Sequence, residues 1–286
     1  MKNTFSNTGV AGVLFAASIL LAAGCGDGGG ASDSGTDACI ITDSGYDAGA
    51  RDGGGTSDGG GCSPNCPIGE FAGIPAGKFF MGCSAGDTSC NADQTPRHEV
   101  TVPAFRMSRF EVTQGEYRKT IGSNPSNFSS CGDDCPVEKV GWNEAKAYCQ
   151  AIGARLPTEA EWEYALRAGT TTKHYCGDSD FCLRNIAWYA SNSGSMTRPV
   201  GHKQANAFGL YDMNGNVWEW VEDDYHDSFT GAPVDGSAWI DSPRASKRTM
   251  RGGSWWDPES AVSSSQRFGT PPVVGLYDIG FRCAKD

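Results

Sequence analysis

Two carboxylates flank a tight turn in the stretch from 209 to 220, which reads Gly-Leu-Tyr-Asp-Met-Asn-Gly-Asn-Val-Trp-Glu-Trp. Asn214-Gly215 predicts the turn, because Asn and Gly tolerate positive φ angles. Residues 217 to 221 alternate as a strand does, which places the two tryptophans on one face and Glu219 on the other. Together with backbone carbonyl oxygens of the turn, Asp212 and Glu219 are hard oxygen donors of the kind that bind Ca²⁺. The alternative is that Asp212 caps the turn and Glu219 lies in solvent.

Short helices and strands are predicted to position this turn. Two Thr-x-x-Glu spacings, each a capping box, open helices over about 113–120 and 158–167. A further helix is predicted over 143–152, and apolar stretches at 74–82 and 98–107 predict strands. The chain after the third helix is dominated by Gly, Ser, Asn and Trp, so long loops are expected there. The sequence therefore predicts an α+β domain of low secondary-structure content.

The N-terminal part of the chain differs in composition from the rest. Residues 1–25 combine Lys2, an apolar run and the ending Leu-Ala-Ala-Gly-Cys25, which resembles the signal peptide and lipobox of a bacterial lipoprotein. The alternative is an ordinary cleaved signal in which Cys25 is coincidental. Residues 26–61 hold thirteen Gly and seven Asp, which predicts a disordered linker. Of the formal charge of −11, −6 falls on residues 62–286, and a mildly acidic domain argues against a nucleic-acid partner.

Twelve cysteines in a chain with an export signal predict disulfides. Four short loops rich in Gly, Asp and Ser are predicted to be closed by these pairs: Cys62 with Cys66, Cys83 with Cys90, Cys131 with Cys135, and Cys176 with Cys182. The alternative is a zinc site, because Cys-x-x-x-Cys spacing also suits that metal. The lack of clustered histidines in the sequence near these pairs favours disulfides.

The stretch from 209 to 220 resembles the most characteristic motif of the formylglycine-generating enzyme family, also called the sulfatase-modifying factor family. Three further segments resemble family motifs in the family's order: Arg155-Leu-Pro-Thr-Glu-Ala-Glu-Trp-Glu-Tyr164, Arg251-Gly-Gly-Ser254 and Gly280-Phe-Arg-Cys-Ala284. Together these segments cover roughly residues 71–286. The resemblance implies the formylglycine-generating-enzyme-like variant of the C-type lectin fold, stapled by disulfides. It also implies a disulfide between Cys149 and Cys283, which leaves Cys39 in the linker unpaired.

The resemblance further implies two Ca²⁺ sites that make loops rigid and take no part in catalysis. The first uses the side chains of Asp212 and Glu219 and the carbonyl oxygens of Gly215 and Val217. Asp212 stands where the family has Asn, and this change adds a negative oxygen. The second set is Asn185, Ile186, Asn192 and Gly194. Because that set contains no carboxylate, we expect it to bind Ca²⁺ more weakly.

The chain departs from the family after Ser254. In the family's enzymes a pair of cysteines close behind the Gly-Gly-Ser motif binds copper and oxidises a substrate cysteine to formylglycine. Soft thiolates suit Cu(I). Here Asp257 and Val262 take those two places, and no cysteine lies between Cys182 and Cys283. We therefore expect neither copper nor formylglycine formation by the family's known mechanism.

Three residues near this departure are the remaining candidates for catalysis: Ser254, Asp257 and Glu259. Paired carboxylates perform general acid/base catalysis, but two acids in a Pro-containing surface loop also occur simply as solvated side chains. Three arginines either line a groove or pair with buried acids: Arg251, Arg267 and Arg282.

These observations predict a binding module of the cell envelope. The expected protein is lipid-anchored and extracytoplasmic, and it presents a groove to a peptide, a glycan or an envelope protein. Its membrane contact is the lipid anchor. One alternative is an oxidoreductase of the same family that uses other residues, and another is a structural protein of the envelope.

Overall fold

A computed structural model describes residues 69–286 of the chain. The predicted signal segment with Cys25, the predicted linker with Cys39 and the predicted pair of Cys62 with Cys66 lie outside the described residues, and these three expectations stay predictions. Within the described part, no helix combines the length and the apolar character needed to cross a membrane.

The strands of the described residues form three sheets. In chain order they are β1 (Phe71–Ile74), β2 (Gly77–Met81), β3 (His98–Val102), β4 (Phe105–Ser108), β5 (Trp218–Asp224), β6 (Arg248–Arg251), β7 (Arg267–Thr270), β8 (Ile279–Gly280) and β9 (Ala284–Lys285). The sheet orders are β1-β4-β9, β2-β3 and β7-β6-β5-β8. Strands β5 and β8 run parallel, and the other pairs are antiparallel. The four-stranded sheet contains the strand that follows the carboxylate-flanked turn.

Prolines divide both of the stretches that were predicted as single strands. The stretch 74–82 contains the end of β1 and all of β2, with Pro75 between them. The stretch 98–107 is split between β3 and β4 by Pro103. Because proline has no N–H to donate to a sheet, each strand ends there and the chain turns into a different sheet.

Within residues 69–286 there are four α-helices: α1 (Gln114–Ile121), α2 (Trp142–Ala151), α3 (Glu159–Arg167) and α4 (Asp180–Ile186). The first three lie within a residue or so of their predicted positions, and Thr113 and Thr158 cap α1 and α3 in capping boxes as expected. Helix α4 was not predicted. It is short, its N-cap is Ser179, and it begins inside the loop that the Cys176–Cys182 disulfide closes.

Strand β5 separates two apolar cores. Trp218 and Trp220 pack on one side with Tyr148 of α2 and Phe281, while Val221 faces the core that contains Trp162 of α3. All nine residues of α3 are buried, although four of them are charged. Since a charged side chain is buried only with a partner, this helix needs ion pairs on several sides.

Four predicted disulfides are present: Cys83–Cys90, Cys131–Cys135, Cys149–Cys283 and Cys176–Cys182. Cys149 and Cys283 are fully buried, with their Cα atoms 5.6 Å apart. This pair joins α2 to the segment before β9. The α+β architecture and the disulfide staples are thus confirmed.

Candidate functional site

The turn before β5 has a left-handed backbone at several residues. Asp212, Gly215 and Asn216 have φ angles of +53°, +79° and +58°. A Cβ on Gly215 would collide with the carbonyl oxygen of Trp188, so glycine is required there. Asn216 accepts the backbone N–H of Trp255 at 2.9 Å. The turn therefore holds two loops in place, the one that contains Trp188 and the one that follows the Gly-Gly-Ser motif.

Glu219 is buried in an ion pair, so the alternative in which it lies in solvent is wrong. Arg282 donates to both of its carboxylate oxygens at 2.7 Å. The indole N–H of Trp162 donates to Oε2, also at 2.7 Å. Oε2 accepts two hydrogen bonds, one from Arg282 and one from Trp162, and both of its lone pairs are used. Oε1 accepts only one hydrogen bond, from Arg282, so one of its lone pairs remains available. Glu219 primarily fixes Arg282, and one of its oxygens has capacity left for a cation.

Asp212 and Glu111 add two more buried acids around the same arginine. Asp212 accepts the N–H of Gly201 at 2.7 Å through Oδ2, whereas its buried Oδ1 has no hydrogen-bond partner among the described residues. Burial raises the pKa of Asp212 to about 6. The pKa of Glu111 is raised well above its ordinary value, first by burial and then by the charges of Asp212 and Glu219. Glu111 was missed in the sequence, because only the fold brings it to this turn.

The donors at this turn fit the chemistry of Ca²⁺. An unpartnered carboxylate oxygen in a region with more negative than positive charge is what a hard cation stabilises. Within residues 69–286, no group of three or more His, Cys, Asp or Glu side chains is arranged to hold a metal. The expected set contains only two carboxylates, and its other two donors are the carbonyl oxygens of Gly215 and Val217. The residues fit a structural Ca²⁺ ion centred on Asp212, and its binding stays a prediction.

The second expected Ca²⁺ set lies around the end of α4: Asn185, Ile186, Asn192 and Gly194. The amide of Asn192 is already engaged, since it accepts the N–H of Tyr189 at 2.9 Å and donates to the carbonyl of Ala187 at 3.0 Å. The Arg198 guanidinium lies against Gly194. A positive charge there opposes a cation, so these contacts favour the first set.

The two positions that replace the copper cysteines have structural contacts of their own. Asp257 accepts the N–H of Ser254 at 2.9 Å and its hydroxyl at 2.6 Å, which closes a small side-chain turn. Val262 is fully buried in a cluster with Leu183 and Tyr189. Glu259 begins a single 3₁₀ turn, Glu259–Ala261, and is half-buried. Of the three candidate catalytic residues, Ser254 and Asp257 are brought together and Glu259 contacts neither of them.

Aromatic side chains cover the surface beside Asp257. Trp255 is buried, and three rings surround it: Phe128 at 5.2 Å, Trp256 at 5.4 Å and Tyr277 at 5.8 Å between ring centroids. Trp256 is 60% exposed and Tyr277 is 43% exposed. We call the surface formed by Phe128, Trp255, Trp256 and Tyr277 with the carboxyls of Asp257 and Asp278 the Trp256 face.

The two acids of the Trp256 face are partly desolvated. Burial raises the pKa of Asp257, although hydrogen bonds from Ser254 act in the opposite direction. The pKa of Asp278 is raised to about 6, first by burial and then by the charge of Asp257. The buried Oδ1 of Asp278 has no hydrogen-bond partner among the described residues. Sequence reasoning missed Tyr277 and Asp278, and the signal that points to this surface is the Trp255-Trp256 pair after Ser254.

The three arginines named in the sequence are fully buried and pair with acids. Arg267 donates to both oxygens of Glu159 at 2.7 Å. Arg251 pairs with Glu163, which also accepts from Arg167 at 2.9 Å. Together with the pair of Arg155 and Glu161, these pairs satisfy the charges of α3. Of the two alternatives, pairing with buried acids is therefore correct, and none of these guanidinium groups lines a groove.

Comparison with known proteins establishes the family. A family model described as "Sulfatase-modifying factor enzyme 1-like domain" matches residues 62–286. The chain belongs to this family. The fold is accordingly the formylglycine-generating-enzyme-like variant of the C-type lectin fold, as the resemblance of the four motifs implied. The structure of PvdO from Pseudomonas aeruginosa matches with a TM-score of 0.68 and 32% identity, over 76% of this chain and 94% of that one.

Similar proteins in this family carry different names. The formylglycine-generating enzyme of Mycobacterium tuberculosis is 36% identical, over 76% of this chain and 98% of that protein. A mouse protein named inactive C-alpha-formylglycine-generating enzyme 2 is 27% identical, over 74% of this chain and 84% of that protein. Serine/threonine-protein kinase Pkn1 of Chlamydia trachomatis is 28% identical over 78% of this chain. The match covers only 39% of the length of that kinase. This sulfatase-modifying factor domain thus resembles both whole proteins and a part of a larger one.

Proposed function

We propose that this protein is an extracytoplasmic, lipid-anchored binding module that holds a peptide, a glycan or an envelope protein without copper chemistry. The observation that carries the proposal is the Trp256 face, which includes Asp257, one of the two positions where the family resemblance implies a copper cysteine. Trp256 and Tyr277 expose ring surface there beside two partly desolvated carboxyls. Exposed aromatic rings next to polar groups are typical of surfaces that bind ligands.

The cysteine chemistry of the described residues supports the part of the proposal that concerns copper. The eight cysteines between 69 and 286 are all paired in disulfides, so this part of the chain has no thiolate for Cu(I). Asp257 is held by Ser254, and Val262 is packed in an apolar cluster. One mouse relative is itself named as inactive. A family domain that serves binding instead of oxidation accounts for these features.

The proposed Ca²⁺ ion has a structural role in this reading. Bound by the side chains of Asp212 and Glu219 with the carbonyl oxygens of Gly215 and Val217, it would balance the buried acids of the turn. The same turn bonds to the backbone of Trp255 through Asn216. Ca²⁺ would thereby rigidify the loop that carries the Trp256 face, and it would take no part in any reaction.

Anchoring through Cys25 completes the proposal. Lipid on that residue would tether the domain to a membrane surface, and the Gly- and Asp-rich segment 26–61 would let the domain reach partners at some distance. Disulfides in the described part are consistent with an oxidising compartment. The envelope is therefore the proposed location.

Ligand binding by the purified full chain tests this proposal. Neutral and acidic oligosaccharides and peptides of varied charge are titrated against the wild type, Trp256→Ala and Phe181→Ala. Phe181 is a matched control because it is an aromatic residue of α4 with 81% exposure. We expect Trp256→Ala to weaken binding of one ligand class by about tenfold, as at other aromatic hot spots, and Phe181→Ala to leave it unchanged. Equal binding by the wild type and Trp256→Ala for every ligand would exclude this surface.

A second candidate function is an oxidoreductase of the same family that uses other residues. The observation that favours it is the pair of Asp257 and Asp278, since a carboxyl with a pKa of about 6 suits general acid/base catalysis. Incubating the full chain with Cu(I), oxygen and a cysteine-containing sulfatase peptide separates the two functions. Conversion of the cysteine to an aldehyde would overturn the binding-module proposal.

A further inference from the structure

The carboxyls of the Trp256 face have no arginine partner, unlike three buried glutamates of the domain. Glu219, Glu159 and Glu163 each contact an arginine. Among the described residues, neither Asp257 nor Asp278 has a cationic side chain within 4.0 Å, and the same holds for the neighbouring Glu259. The face therefore carries negative charge that no cationic side chain of the described residues pairs with.

The rings of the same surface also lack a cation. Elsewhere the fold places cations over aromatic rings repeatedly. The ring of Trp142, for example, has Lys146, Arg244 and Arg248 at 4.7 to 5.1 Å from its centroid. Within residues 69–286, no Lys or Arg lies over Trp255, Trp256 or Tyr277 in this way.

One lysine contacts the segment that precedes Tyr277. Lys139 approaches through its backbone, whose N–H donates to the carbonyl of Leu276 at 3.0 Å. Its side chain forms no ion pair with either aspartate. The surface thus combines exposed ring faces with uncompensated carboxyls and has no internal cation to occupy it.

We propose that the Trp256 face binds a positively charged side chain, Arg or Lys, from a basic segment of a partner protein. The cation would lie over the exposed ring of Trp256 or Tyr277 and would receive hydrogen-bond acceptors from Asp257 and Asp278. The aromatic rings and the carboxylates both attract a cation, so the aromatic part and the acidic part of the surface are complementary to one ligand. This inference deepens the binding function proposed above and rests on it.

Charge decides between this ligand and a glycan. An acidic glycan would meet two uncompensated carboxyls on a chain with a formal charge of −11 and be repelled. A neutral glycan would stack on Trp256 but leave the charges of Asp257 and Asp278 unbalanced. A cation balances them, and the charge of Asp257 is the second cause, after burial, of the raised pKa of Asp278.

A peptide pair that differs only in charge tests the inference on the purified full chain. The probe is a fluorescent octapeptide of alternating Arg and Gly, and its control has citrulline in place of each Arg. We expect the arginine peptide to bind about tenfold more tightly, since citrulline keeps the shape and loses the charge. We expect Trp256→Ala to weaken arginine-peptide binding about fivefold.

Acid substitutions separate the local charges from the net charge of the protein. Asp278→Asn and Asp227→Asn each remove one negative charge from the protein. Asp278 belongs to the Trp256 face and bonds to Trp218 at the start of β5, whereas Asp227 follows the other end of that strand. We expect only Asp278→Asn to weaken binding, about threefold to fivefold. Unchanged melting temperatures of the variants show that the fold is retained.

Three results would overturn the cationic ligand. They are equal binding of the arginine and citrulline peptides, equal effects of Asp278→Asn and Asp227→Asn, and an arginine peptide that binds independently of Trp256. If a neutral β-glucan oligosaccharide binds in a Trp256-dependent way while the arginine peptide does not, the binding function stands and the inference about its ligand fails. If no probe depends on Trp256, both fail.

Discussion

Asp212→Asn is the substitution that most directly tests whether Ca²⁺ organises the turn before β5. Asparagine keeps an oxygen that accepts the N–H of Gly201, which Asp212 Oδ2 accepts at 2.7 Å, and it removes the negative charge. In wild type the second carboxylate oxygen is buried and unpartnered. The variant therefore changes the charge offered to a cation and little of the hydrogen bonding.

The expected magnitude follows from linkage between binding and folding. Ca²⁺ at about a hundred times its dissociation constant stabilises the folded state by about 2.7 kcal/mol, which raises the melting temperature of a domain of this size by about 5 to 10 °C. We expect Asp212→Asn to lose most of this increase. Without Ca²⁺, in a chelator, the three buried acids around Arg282 repel one another, and the variant removes one of them. Its melting temperature under these conditions should therefore equal or exceed that of wild type.

Thermal melts of the full chain with saturating CaCl₂ and with EDTA measure both effects. Glu219→Ala serves as the comparison, because it leaves Arg282 and the indole N–H of Trp162 buried without their acceptor. That loss costs about 3 to 5 kcal/mol and is present in EDTA as well as in CaCl₂. A decrease in melting temperature of the same size for Asp212→Asn in CaCl₂ and in EDTA would refute the role of Ca²⁺.

Three further predictions concern stability. Replacing Cys149 and Cys283 by Ser should lower the free energy of unfolding in urea by about 4 to 5 kcal/mol, since the disulfide closes a loop with a sequence separation of 134 residues. Burial raises the pKa of Asp223 from 3.8 to about 8, so its contribution to stability is fully present below about pH 4 and is lost progressively as the pH rises to about 8. Asp223→Asn should therefore make urea midpoints at pH 5 and pH 8 more alike, and an unchanged pH slope would contradict this. Gly215→Ala should lower the melting temperature, because its φ of +79° and the carbonyl of Trp188 leave no room for a Cβ; a melting temperature like that of wild type would show that the turn relaxes easily.

Local sequence signals predicted the parts of the fold that depend on local contacts. The capping boxes at Thr113 and Thr158 marked the starts of α1 and α3, because the hydrogen bonds that form them lie within four residues. Helix α4 was missed because it is short and follows a Gly- and Asp-containing loop, so periodicity gives no signal for it. The prolines that split the predicted strands were visible, but which sheet each strand joins depends on distant partners.

The candidate site could be predicted only where its residues are close in sequence. Asp212 and Glu219 lie on either side of one turn, so their proximity was readable. The third acid, Glu111, reaches the turn from a distant segment through its bonds to Asn216 and Val217. The Trp256 face likewise joins two loops that are remote in sequence and are brought together by Trp255, whose indole N–H donates to the carbonyl of Tyr277 at 3.2 Å.

The burial of α3 on every side has a consequence for how such a domain diversifies. Its acids and the arginines that reach it from β6 and β7 form an internal frame that does not depend on the identity of surface side chains. The exposed side chains of Trp256, Val273, Leu276 and Tyr277 lie outside that frame, so a library that randomises these positions should yield many well-folded members with new ligands. Substitutions at Glu159 or Glu163 would leave buried arginines without a partner, so few would be tolerated. Helix α3 is therefore the fixed part of the domain, and the aromatic loops are the part whose binding surface can vary.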